Sequence, residues 1–308
     1  MYLNNLQNQL ATKEAVKRKF KGNKTVRCRR IPKYPSSAER EFSRMTDAYM
    51  KMLHESLKKH LPEMMSAYKK QRRGDSRFDD ANDLDKDIRR EFMEISKELE
   101  QKINDFGIEK FMEKIASNTQ RTSLREWKKV VHETLGIDLL DDYYNGDFYA
   151  EQLRRWVDDN VLKIKSIHGT TLNDMHDIIL EGYLKGEPIR DIQKEIQEKY
   201  NVTKHQARMI ARDQISTLNS QITQLQQKDA GCNRYRWSTS KDSRVRDCHR
   251  ELDNKIISWD EPPEMWYKTK SKGIVYTGRR CHPGEDYCCR CVAIPVFDIE
   301  TLNIPFKR

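Results

Sequence analysis

Apolar residues recur along this chain at two different periods, and the change of period divides it. From Ser36 to about Tyr68, Phe42, Met45, Tyr49, Met52, Leu53, Leu57, Leu61, Met64 and Tyr68 fall at helical spacing. Residues three and four apart share one face of a helix, so this run predicts a long amphipathic helix. Ser36 or Ser37 caps it, Glu39 completes a capping box with Ser36, and Pro62 predicts a kink or an end. Its methionines, Met45, Met50, Met52, Met64 and Met65, read as a core face rather than an adaptable partner surface. After a charged break over 71–87, Ile88, Phe92, Ile95, Leu99 and Ile103 predict a second amphipathic helix. Shorter helical runs follow over 108–115, 123–135 and 144–164, and two more helices are expected over 172–183 and 188–199. Thr203 then caps a helix reaching about Lys228. Tyr-Asn-Val-Thr at 200–203 would thus join an αα-hairpin. A DNA-reading helix-turn-helix is the weaker reading, because the second helix is too long for that unit.

At Gly231 the period changes to two. Tyr235, Trp237 and Thr239 alternate over 234–239, and 255–259, 273–276 and 291–297 also read as short strands. Pro262-Pro263, Gly278 and Pro283-Gly284 supply turns. The expected fold class is α+β, a mainly α-helical N-terminal body with a small β-containing C-terminal domain. The expected domains are a flexible basic arm over 1–35, an α-helical body over 36–170, and a C-terminal domain over 171–308. The last opens with helices and ends in a Cys/His-rich β unit over 231–300.

Composition sharpens this picture through charge. Of 308 residues, 34% are charged and 36% hydrophobic. No stretch approaches the roughly 18–20 apolar residues of a membrane span, and Met1–Gln9 lacks the apolar core of a signal peptide. The net charge is +10, and it is concentrated. Residues 1–33 hold Lys13, Lys17, Arg18, Lys19, Lys21, Lys24, Arg27, Arg29, Arg30 and Lys33 against one acid, Glu14; the remaining chain is close to neutral. Such a segment is expected to be flexible. Its natural partner is double-stranded DNA, bound without sequence preference through counterion release. A solvated tail or an acidic protein partner is the alternative.

Candidate chemistry clusters at the other end. Six of the seven cysteines follow Gly231, and His249 and His282 stand among them. Cys289-x-Cys291 on a strand directs both thiols to one face. A zinc site drawn from His249, Cys281, His282, Cys289 and Cys291 is one reading, and packed free thiols are the other. A metal-dependent, nucleic-acid-processing enzyme would use His249 and His282 with Asp242, Asp253 and Asp286. No phosphate-binding loop, nucleophile elbow or His-Glu-x-x-His stands in the chain, so the expectation is a non-enzyme.

The same region carries an ordered series of residues. Ala211-Arg212-Asp213 and Asn219 are followed by Tyr235-x-Trp237-x-Thr239 and by Asp242, Arg244, Arg246 and His249. Leu252-Asp253-Asn254, Pro262-Pro263, His282-Pro283-Gly284 and Asp286 come next, and Cys289-Arg290-Cys291 precedes Pro295. Over about 170–300 this series resembles the Mu F-like minor head, or head morphogenesis, proteins of tailed bacteriophages. Many members have Gly at the position of Asn254, and some have a Cys pair in place of Arg246 and His249. The resemblance implies a virion component acting in head assembly and in DNA packaging or delivery. Its implied partners are the portal protein, double-stranded DNA and other capsid or scaffold proteins. It implies a place in the capsid interior or at the portal vertex, after assembly in the host cytoplasm. It also implies structural roles for Asp242, Arg244, Arg246, His249, Pro283, Gly284, Cys289, Arg290 and Cys291.

Overall fold

The computed structural model describes residues 13–71, 77–139, 144 and 146–304. Helices α1 (Ser36–Gln71), α2 (Arg77–Phe106), α3 (Ile108–Leu135), α4 (Asp147–Lys185) and α5 (Ile189–Asp229) carry most of it. The short helix α6 (Asp247–Leu252) stands among strands β2 (Arg234–Ser238), β3 (Ile256–Ser258), β4 (Glu264–Thr269), β5 (Gly273–Arg280) and β6 (Val292–Asp298). The chain is α+β, as the change of period indicated.

The helical spacing of apolar residues is realised as burial. In α1, Phe42, Met45, Tyr49, Met50, Leu53, Leu57, Met64 and Met65 are buried, so most of the methionine stripe is core. The helix continues through Pro62. No capping box forms: the backbone N–H groups of Ala38 and Glu39 donate to Pro35 O, and the Glu39 carboxylate is engaged by arginines. In α2, Ile88, Phe92, Ile95, Leu99 and Ile103 are all buried.

Several expected breaks are absent. Runs 108–115 and 123–135 are one helix, as are 144–164 and 172–183 from Asp147 onward. The αα-hairpin expected around 200–203 is instead the interior of the 41-residue α5. Thr203 is no cap there: its Oγ1 donates to Lys199 O, one turn back. A polar side chain that bonds back along its own helix neither starts nor ends one. Part of the charged break, 72–76, lies outside the described residues.

Packing groups the residues into two units. One comprises Met1–Glu39, Ala116–Arg154 and Arg212–Arg308, and the other Arg40–Ile115 and Arg155–Ala211. This division does not follow the expected boundary at 170. The second unit is wholly helical, with Phe42 edge-on to Trp156 and Tyr200 donating to Met50 O.

In the first unit an antiparallel sheet runs in the order β1-β6-β2-β3, where β1 is Thr25–Arg27. Here the expected flexible arm is corrected over its described part, 13–35. Val26 pairs with Phe297, while Val16 and Cys28 are buried with Trp127, Val131, Ile294 and Phe297. Even a few apolar side chains hold a basic segment when a strand edge is there to receive it. Residues 1–12 lie outside the described residues.

β2 pairs with β6 through Tyr235↔Pro295 and Trp237↔Ala293. On one side of this pair lies a second core, in which Tyr235, Trp237, Cys248, Trp259, Met265, Cys281, Cys289 and Cys291 are buried together. β4 and β5 form a separate two-stranded hairpin, and sequence periodicity had not indicated β4. α5 ends in a Schellman motif, with Cys232 N–H donating to Gln227 O and Gly231 N–H to Lys228 O. Gly231 has φ +77° there, and a Cβ would fall on the Thr301 carbonyl oxygen.

Candidate functional site

The second core brings three of the expected metal ligands together. α6 begins after Arg246 and presents His249 inward, while the segment leading into β6 presents Cys289 and Cys291. His249 Nδ1 lies 3.6 Å from Cys289 Sγ and 3.7 Å from Cys291 Sγ. All three residues are buried. The Cys291 N–H donates to Cys289 Sγ at 3.4 Å, and Ser216 Oγ donates to the Cys289 carbonyl.

Cys281 and His282 are not part of this group. His282 Nδ1 is 3.0 Å from Tyr235 Oη, and its ring packs on Trp259. Burial lowers its pKa. Burial also raises the Cys281 thiol to about 11. The expected zinc set thus shrinks to His249, Cys289 and Cys291.

Asp286 is a residue whose role spacing did not reveal. It is buried, with Arg246 Nη1 2.9 Å and Arg279 Nη1 2.6 Å from its carboxylate and His249 Nε2 3.2 Å away. Burial opposes its ionisation, but these three positive or protonatable groups outweigh that and hold it at about 2. Burial likewise opposes protonation of His249, while Asp286 and Cys289 lift it to about 9. Cys291 lowers the Cys289 thiol well below its ordinary value and is itself raised, since one proton serves the pair. The sequence placed Asp286 among the acids of the enzyme reading and in the motif series, but nothing in its spacing paired it with His249.

The other motif arginines also have fixed partners. Arg244 bonds Asp242 at 2.7 Å, and Arg246 reaches Tyr287 O as well as Asp286. Arg290 and Arg212 converge on Glu39, each at 3.0 Å. A cavity of ≈ 160 Å³ is lined by these four arginines together with His249, Cys289 and Cys291. Of the three acids of the enzyme reading only Asp286 meets His249; Asp242 is held by Arg244, and Asp253 by Lys241 and Thr239. Among the described residues no carboxylate joins the His249 group as a ligand.

At the N-terminal end the basic residues divide. Arg30 bonds Glu126 at 3.1 Å and Glu133 at 2.6 Å, and Lys19 Nζ donates to Leu135 O. Arg30 is thereby a structural residue in this fold rather than a free cation. Lys17, Arg18, Lys21, Lys24, Arg27, Arg29 and Lys33 are exposed, and Lys13 is half-buried.

Comparison with known proteins places this arrangement. Residues 173–294 match the family described as Phage Mu protein F like protein. Over these residues, less than half of its length, the chain is similar to that family. Over 163 residues the chain is 33% identical to an uncharacterized protein of Haemophilus influenzae, covering 53% of this chain and 33% of that relative. Over 141 residues it is 27% identical to Minor head protein GP7 of Bacillus phage SPP1, covering 44% of each. The chain thus spans less than half the length of either curated relative. No solved structure matches it.

The geometry accounts for residues that the resemblance singled out. Asn254 has φ +66°, the left-handed region where Gly is at no disadvantage, which fits the Gly that many family members carry there. Gly284 has φ +92°, and a Cβ on it would lie 3.0 Å from Ser216 O. The Pro283-Gly284 turn therefore packs against α5 at a distance only glycine tolerates without a shift. Asp253 accepts from Thr239 N–H and Oγ1, tying the end of β2 to the residues after α6.

Proposed function

We propose that this chain is a minor head protein of a tailed bacteriophage that associates with the portal. It acts there in head assembly and in DNA packaging and delivery, and it binds double-stranded DNA without sequence preference. The observation that carries this reading is the match of the Mu F-like domain together with the likeness to a minor head protein. The motif arginines support a structural role rather than catalysis, because Arg244 and Arg246 are each committed to a carboxylate within the matched residues and Arg290 to Glu39 at the start of α1. Exposed cations over 13–33 supply a sequence-independent contact for phosphates. The other partners are capsid or scaffold proteins, and the location is the capsid interior or portal vertex, reached from the host cytoplasm. No helix among the described residues is long and apolar enough to cross a membrane.

Co-expression of the full chain with the portal protein of the same phage genome tests the reading. A complex that survives size-exclusion chromatography is expected. Separate elution at micromolar concentrations of both would count against portal association.

A further inference from the structure

We infer that His249, Cys289 and Cys291 hold one tetrahedral zinc-class cation whose fourth position opens into the arginine-lined cavity. A tetrahedron with metal–sulfur bonds of about 2.3 Å and metal–nitrogen bonds of about 2.0–2.1 Å has N···S edges of about 3.6 Å. The two such edges here are 3.6 and 3.7 Å, and all three donor atoms lie within 4.8 Å of one another.

The surroundings are those of a metal-binding histidine. A ligating imidazole commonly directs its second ring nitrogen to a carboxylate, which fixes the ring and the donor nitrogen. His249 Nε2 lies 3.2 Å from Asp286 Oδ2, an ion-pair distance that is not aligned as a hydrogen bond, and Nδ1 is left for the sulfurs. Asp286 is in turn clamped by Arg246 and Arg279. The N–H of Cys291 aimed at Cys289 Sγ favours a thiolate there. Two thiolates, a neutral imidazole and a divalent ion sum to zero charge, the least costly form in which to bury these groups. Sulfur and imidazole donors select zinc over magnesium or calcium.

Three protein donors leave one corner of the tetrahedron. Among the described residues no fourth donor joins the group, and the cavity touches all three ligands. Water or a small anion therefore completes the shell, beside Arg212, Arg244, Arg246 and Arg290. This inference does not rest on the head-protein reading.

The test uses the reduced full-length chain. Elemental analysis with native mass spectrometry should give one zinc per chain. Cobalt(II) should give intense tetrahedral ligand-field bands with thiolate charge transfer. Cys289→Ser and Cys291→Ser should each reduce the charge transfer, while Cys281→Ser and Cys288→Ser leave it unchanged. Asp286→Asn should weaken zinc binding by about 10–100-fold with the cobalt spectrum retained. Azide should shift the ligand-field bands, since it enters the fourth position. A chain that takes up no stoichiometric zinc or cobalt, or that carries a Cys289–Cys291 disulfide as isolated, overturns the metal site. Bands indifferent to azide, or charge transfer reduced by Cys288→Ser, overturn the open position. The wild-type cobalt spectrum decides the metal question even where a serine variant fails to fold.

Discussion

Arg30 reaches across 96 positions to Glu126, with Nη2 3.1 Å from Oε2. The Glu126 side chain is 2% exposed and that of Arg30 is 20% exposed. A carboxylate so buried needs a partner, and burial alone would raise its pKa; Arg30 and the Lys33 N–H hold it below its ordinary value instead. Arg30→Ala leaves that charge with only the Lys33 N–H and the more exposed Lys129 and Arg125. The expected loss is about 2 kcal/mol, below the roughly 3–5 kcal/mol of a fully buried pair because Arg30 is part-exposed. Urea unfolding of the variant checks this, with Lys17→Ala as the control expected to change stability by less than about 0.5 kcal/mol.

The same pair changes how DNA binding must be tested. Deleting 1–33 would remove β1 and the buried Val16 and Cys28 along with the cations. Charge reversal at Lys17, Lys21, Lys24 and Arg29 instead removes exposed charge and leaves the core alone. Affinity for random double-stranded DNA should fall. The slope of log K against log salt should flatten by about 0.9 for each phosphate that is no longer neutralised. Fluorescence anisotropy over a salt series measures both, and an unchanged slope would place the DNA-binding surface elsewhere.

Acid should reach the helical unit through Glu98. Lys102 and Lys59, at 2.6 and 3.0 Å, pull its pKa down to about 2 from an ordinary 4.5, against the cost of burial. His60 and Ser56 also contact its carboxylate. A carboxyl depressed on folding contributes stability that is fully present above its unfolded pKa and is lost as pH falls through the folded one. The contribution should therefore decline between about pH 4.5 and 2. Denaturant unfolding at a series of pH values should show a shallower decline across that window for Glu98→Gln than for wild type.

Gly231 ends α5 at φ +77°, and its Cα faces the Thr301 carbonyl. Gly231→Ala combines an unfavourable backbone conformation with a backbone clash and should cost about 2–4 kcal/mol. Thermal unfolding compares it with Gly273→Ala, where φ is +66° but no atom lies within 4 Å of the added Cβ. The difference between the two isolates the clash.

These residues also show where sequence was informative. The stripes ending at Met64 and Ile103 were legible because a helix burying one face repeats every three or four residues. Tyr235 and Trp237 were legible because β2 buries one face deeply. The Thr203 turn was misleading: Asn, Val and Thr are weak helix formers, but Tyr200 and Ala207 are buried and carry the helix through. β1 escaped notice because Thr25–Arg27 is short and its partner lies more than 260 positions away. The site's residue types were visible, but the choice of His249 over His282 was not. It depends on Tyr235 taking up the His282 ring and Asp286 facing His249, both contacts between distant segments.

A head component, as proposed for this chain, must be part of the finished particle. Quantitative mass spectrometry of purified virions from the genome that encodes it measures this most directly. The chain should be present in intact heads, at a small fraction of the major capsid protein. Absence from purified particles, with the chain found only in the lysate, would contradict it.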